Sequence, residues 1–149
     1  GGRAMEQRLS VITLGVSDLA RSRAFYERGL GWVVGGAPES VVFFQLNGIV
    51  LSLYPREALA ADAGVPLEGG GSAGIALAYN VRQPGEVDEV LAAAERGGGR
   101  IVKPAARAFW GGRSGYFADP DGHLWEVAHN PLWALDAAGN VSLVPGHGD

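Results

Sequence analysis

A short β-rich run followed by an amphipathic helix occurs twice in this chain, and an internal repeat of that kind decides the architecture before any other feature is weighed. The first copy is VITLGV, Val11 to Val16, followed by Ser17 and Asp18 as a helix N-cap and the segment LARSRAFYERGL, closing near Gly29 to Gly31. The second is ALAYNV, Ala76 to Val81, followed by Pro84 and Gly85 opening EVDEVLAAAERGGG. Val87, Val90, Leu91 and Ala94 fall on one face of that helix, and Gly97 stops it. Pro84 at the start and Glu86, Asp88 and Glu89 in the first turn suit the positive end of a helix dipole.

Each helix leads to a matching short run, Gly31 to Val34 and Gly99 to Val102, and then to a hairpin. The first hairpin, VVFFQLNGIVLSLY, turns at Asn47-Gly48, and the second, SGYFADPDGHLWEVA, turns at Asp119 to Gly122. Each half therefore reads βαβββ. Gly1 to Ala4 read as a cloning remnant, and residues 5–149 as a single domain with a start at Met5. Its first module covers about 9–63, with a short helix expected over Ala58 to Ala63. A glycine-rich linker over 64–74, a second module over about 75–130 and an irregular tail over 131–149 complete it.

The balance of 12 basic and 16 acidic residues gives a net charge of −4 without a basic block, so no nucleic-acid or anionic-lipid partner is expected. Cysteine is absent, which excludes disulfides, thiolate nucleophiles and Cys-ligated zinc or iron–sulfur clusters. With no apolar run long enough to span a bilayer and no signal-peptide pattern, a cytoplasmic location without membrane attachment is expected.

The opening ITLGVSDLARSRAFYERGLGW and the ending GYFADPDGHLWEVAHNP resemble the vicinal oxygen chelate superfamily. That group takes in glyoxalase I, bleomycin-resistance and fosfomycin-resistance proteins and extradiol dioxygenases. The resemblance covers Leu9 to Pro131, and Phe117 to Glu126 is its most specific stretch. It implies an α+β fold in which two βαβββ modules form a cup-like half-barrel of mixed sheets, often completed by dimerisation. It also implies that enzymes of the group hold a divalent metal with side chains from the first and last strand of each module. Matching the two copies places Val11 with Ala76 and Ser52 with Glu126 at those positions. Only Glu126 is a usual ligand there, so no metal and no cofactor are expected, a divalent ion bound with Glu126 being the alternative.

Strand alternation extends the cup lining to Thr13 and Gly15, Val50 and Tyr54, Ala78 and Asn80, and Leu124 and Ala128. The opposite faces, Ile12, Leu14 and Val16, Leu51 and Leu53, Leu77 and Val81, and Trp125 and Val127, are expected under the helices. Glu126 reads as a relic ligand, a general acid or base, or a carboxylate paired with arginine. By parity His123 and His129 point away from it, and His147 lies in the tail. Asp119 and Asp121 read as turn residues accepting backbone N–H bonds rather than as a paired-carboxylate site. Phe109 and Trp110 beside Gly111 and Gly112 read either as a lid over the cup or as a core contact. Tyr54 and Arg113 could hydrogen-bond an oxygenated ligand, with surface roles as the default. The glycine-rich linker lacks the strand-to-helix context of a phosphate loop.

Three functions remain from these residues. One is a metal-independent binding protein that takes a small organic metabolite or drug in an apolar cup of a homodimer. Another is an enzyme of lyase, isomerase or dioxygenase type using Glu126 with a divalent metal or as an acid/base, glyoxalase I activity itself being disfavoured. The last is a dimeric scaffold without a ligand.

Overall fold

A computed structural model describes residues 7, 10–63, 66 and 75–142. The expected start at Met5, His147 and all of the linker except Pro66 lie outside the described residues. The first module runs β1 (Val11–Val16), α1 (Leu19–Ala24), a π-helical turn (Phe25–Gly29), β2 (Val34–Gly36), β3 (Val42–Gln45), β4 (Val50–Pro55) and α2 (Arg56–Ala63). The second runs β5 (Leu77–Asn80), α3 (Gly85–Arg96), β6 (Arg100–Arg107), β7 (Arg113–Ala118) and β8 (Leu124–His129). The sheets have the orders β1-β4-β3-β2 and β5-β8-β7-β6, identical in pattern, and are not joined into a barrel. In each the first and last strands pair in parallel and the others antiparallel. The α+β architecture of two mixed four-stranded sheets is the expected one.

Local chemistry explains the helices. Asp18 caps α1, its Oδ1 accepting from Arg21 N at 3.0 Å. In α3 the N-cap is Pro84, whose ring carries no hydrogen-bonding group, and the Glu86 carboxylate instead accepts from Gln83 N at 2.8 Å. The π turn closes with Leu30 N donating to Phe25 O at 2.9 Å, and it brings Phe25 and Tyr26 into full burial on consecutive positions. It also moves β2 later than expected, since Trp32 N is used by Tyr26 O and the strand begins only at Val34. The tail is not wholly irregular: β9 (Ala134–Leu135) pairs with β10 (Val141–Ser142). Arg82 Nη2 donates to Asp136 O at 2.8 Å, and Asn47 Nδ2 to Asn140 Oδ1 at 2.7 Å, so this hairpin touches both modules.

The expected core faces do pack inward, and both sheets feed one core: Leu14, Val16, Leu51 and Leu53 join Val81, Val87, Leu91, Trp125 and Val127. Tyr26 of the first module sits among rings of both, with Phe44 at 6.0 Å and Trp125 at 6.3 Å between centroids. Its hydroxyl donates to Asp119 Oδ2 at 2.8 Å and accepts from Trp125 Nε1 at 3.1 Å. Beside it, His123 Nε2 donates to Gly15 O at 2.8 Å, and Asp121 Oδ1 accepts from Ser17 N and Oγ, both at 2.8 Å. The turn reading of Asp119 holds, as its Oδ1 accepts from Asp121 N and His123 N, but both acids also reach across to the other module.

The two helix ends meet at Gly29 and Gly97, each preceded by Glu-Arg. A Cβ on Gly97 would lie 2.6 Å from Gly29 Cα, closer than carbon atoms tolerate. Gly97→Ala is therefore expected to force the backbones apart and cost about 1–3 kcal/mol, read as a lower urea midpoint with unchanged m-value. Burial, and then the Asp119 charge, raise the Tyr26 phenol well above its ordinary range. Because the raised group is neutral when folded, its contribution is complete below the unfolded tyrosine value and fades as pH climbs from about 10 through the folded value. Tyr26→Phe leaves Asp119 Oδ2 and Trp125 Nε1 without that partner. The expected loss is about 1–3 kcal/mol at pH 7, with a shallower decline of stability above pH 10 in alkaline denaturation curves.

Candidate functional site

The rows that pack inward from both sheets share one core, so the opposite faces, which carry Ser52 and Glu126, turn outward from it. Within one chain these faces do not close on each other. Each is ordered by register. In the first sheet the row across the strands is Thr13, Ser52, Phe43 and Gly36; in the second it is Ala78, Glu126, Tyr116 and Lys103. Strands stand about 4.8 Å apart, so each neighbour in a row is within side-chain reach of the next.

Ser52 is only 3% exposed. Farther along this face α2, longer than expected, folds back over Gly15: a Cβ built there would lie 3.3 Å from both Arg56 Cβ and Leu59 Cδ2. Val50 and Tyr54 are half-buried around Ser52, while Val11 and Thr13 stay exposed at the strand edge. In the second sheet Ala76 and Ala78 are exposed, Asn80, Leu124 and Glu126 half-buried, and Ala128 buried against the strand carrying Ser114. Glu126 makes no hydrogen bond or ion pair to another described residue. Arg113 is spoken for elsewhere: it grips Asp88 through two hydrogen bonds of 3.0 Å and holds that carboxyl below the usual aspartate range.

The histidines turn away as their parity implies. His129 Nδ1 donates to Val81 O at 3.3 Å, and His123 is engaged with Gly15. Trp110 folds back on its own loop, its ring lying where a Cβ of Gly112 would be, which leaves Phe109 as the fully exposed ring of the pair. Among the described residues, no group of three or more His, Asp or Glu side chains is gathered closely enough to hold a metal ion.

Sequence reasoning missed Phe43, Tyr116 and Lys103. The signal was present for the two aromatics: Phe44 and Phe117 pack into the core, so their neighbours Phe43 and Tyr116 must face the other way. The resulting surface pairs a half-buried carboxylate with a phenol and an ammonium on one sheet, and a hydroxyl with a benzyl ring on the other.

A family model described as the Glyoxalase/Bleomycin resistance protein/Dioxygenase superfamily matches residues 8–127. A solved structure described as a glyoxalase-related enzyme from Fulvimarina pelagi is 41% identical, with a TM-score of 0.86 over 92% of this chain and 98% of that one. A lactoylglutathione lyase from Agrobacterium tumefaciens is 26% identical, with a TM-score of 0.65 over 87% of this chain and 98% of that one. A glyoxalase/bleomycin resistance protein/dioxygenase from Nocardioides, at 24% identity, a TM-score of 0.70 and 85% of each chain, shares the fold. No described helix is long and apolar enough to cross a membrane.

Proposed function

Since the chain belongs to the Glyoxalase/Bleomycin resistance protein/Dioxygenase superfamily, we propose that it is a binding protein for a small organic molecule, held without a metal in a cup that two copies build together. The observation that carries this reading is the donor set. A divalent ion needs at least three oxygen or nitrogen ligands to offset its dehydration. Val11 and Ala76 bear hydrocarbon at the matched positions, Ser52 offers a buried neutral hydroxyl, and only Glu126 offers charge. Any cup that joins one first module to one second module has this same set, whichever copy supplies each half. The residues do not fit a divalent ion.

They fit an organic ligand better. Phe43 and Tyr116 offer aromatic faces, Val50 and Leu124 apolar wall, and Glu126 and Lys103 opposite charges for a polar end. A second copy is the natural completion, because β1 and β5 are edge strands of the sheets formed by the described residues, and β1 opens on exposed Val11.

A second reading, turnover in which Glu126 moves a proton, draws on the half-buried, unpaired state of that carboxylate beside Tyr116 and on the enzyme description of the Fulvimarina relative. Two measurements decide. Added Zn, Ni, Mn or Fe is expected to leave the melting temperature unchanged, whereas a screen of amphipathic aromatic metabolites is expected to raise it, a ligand at 100 times its Kd adding about 2.7 kcal/mol. Stoichiometric metal removable by chelator overturns the binding reading. Sedimentation is expected to give a dimer that Val11→Lys dissociates with loss of the ligand shift; a ligand-silent dimer leaves the scaffold.

A further inference from the structure

The two modules differ at one pair of matched positions in a way that opens a cavity. Counting back from the matched residues Val16 and Val81, Leu14 of β1 corresponds to Tyr79 of β5. Both belong to the inward-facing rows. Leu14 is 7% exposed, as such a position requires, but Tyr79 is 48% exposed. Beneath Tyr79 lies a cavity of about 140 Å³ on the helix side of the second sheet, the side opposite Glu126.

The rings of Phe117 and Trp125, stacked at 6.0 Å and 5°, line it from the sheet, and Trp32 of the first module stands edge-on to Trp125 at 6.0 Å and 80°. Val90 and Ala93 close it from α3. Trp125 Nε1 is already committed to the Tyr26 hydroxyl. Among the described residues Trp32 Nε1 and Tyr79 Oη make no hydrogen bond, so the lining offers at most a donor and a hydroxyl beside its aromatic walls.

We propose that this cavity is a second binding site, separate from the cup, for a single-ring aromatic molecule bearing one polar substituent, of the phenol class. Size sets the upper limit: an apolar cavity of about 150 Å³ elsewhere stays dry and takes up benzene. Chemistry sets the rest. Three aromatic walls at edge-to-face and stacked angles favour a planar ring over an aliphatic chain. Among the described residues the lining holds no charged side chain, which disfavours an ion, and the Trp32 indole N–H and Tyr79 hydroxyl answer a single hydroxyl. This site is independent of the reading of the cup.

The test uses phenol itself as the probe and the indole N–H signals of the four tryptophans in a nitrogen–proton NMR titration. Saturable movement of the Trp32 and Trp125 signals, with Trp110 and Trp133 unmoved, is the expected result. Ala93→Leu fills the cavity from a helix that accepts leucine readily, and is expected to weaken phenol binding about tenfold or more. Should that variant fail to fold, Val90→Met makes the same intrusion with a more pliant side chain. Movement confined to backbone signals around Ser52 and Glu126, no saturable movement at all, or unchanged affinity in the folded filling variant overturns the proposal.

Discussion

One buried hydroxyl sets the relation between the two halves of this protein. The Tyr26 phenol is held between a carboxylate and an indole that both belong to the other module, in surroundings from which water is excluded. A neutral donor facing a carboxylate in such a place makes a strong hydrogen bond and leaves a costly vacancy if lost. The ring around that hydroxyl touches Phe25, Trp32, Phe44 and Trp125, so its orientation is fixed by packing as well. The Gly29–Gly97 approach and the Ser17, Arg21 and Asp121 contacts repeat the junction at its flanks.

That junction joins the halves through their helix-bearing sides, and the consequence for the site is direct. The faces carrying Ser52 and Glu126 are turned away from the core. The chemistry of each face is therefore written on a rigid, one-sided platform. On the first sheet α2 lowers one end of the platform into burial, while the second remains open around Ala78 and Glu126. The faces also differ in polarity, since the open one sets the Glu126 carboxylate and the Lys103 ammonium in one row.

Much of this is legible in the amino-acid sequence. The repeat gave the two sheets, and period-two alternation separated Leu14 and Val16 from Thr13, and Trp125 and Val127 from Glu126, because alternation is a local property of strands. What escaped was non-local. Asp119 and Asp121 satisfy every local rule for turn residues, and nothing local says that each also serves a partner about a hundred positions away. The cover over Gly15 depends on the direction in which α2 leaves β4, and Trp110 settles on Gly112 through loop geometry. The late start of β2 follows from a π turn that no periodicity announces. Phe43 and Tyr116 are a different kind of omission, since alternation applied to the central strands would have found them.

The parallel pairing of each module's first strand with its last bears on how the chain is made. β1 waits unpartnered while a helix and two further strands emerge, and β5 does the same in its turn. Contacts so distant along the chain slow the search for the native arrangement. During synthesis the Tyr26 hydroxyl likewise stays without its two partners until Asp119 and Trp125, close to the end of the second module, have left the ribosome. The exposed aromatic surface of the first half is therefore an obligatory stage of its biogenesis, and one at which chaperone engagement or premature aggregation would compete.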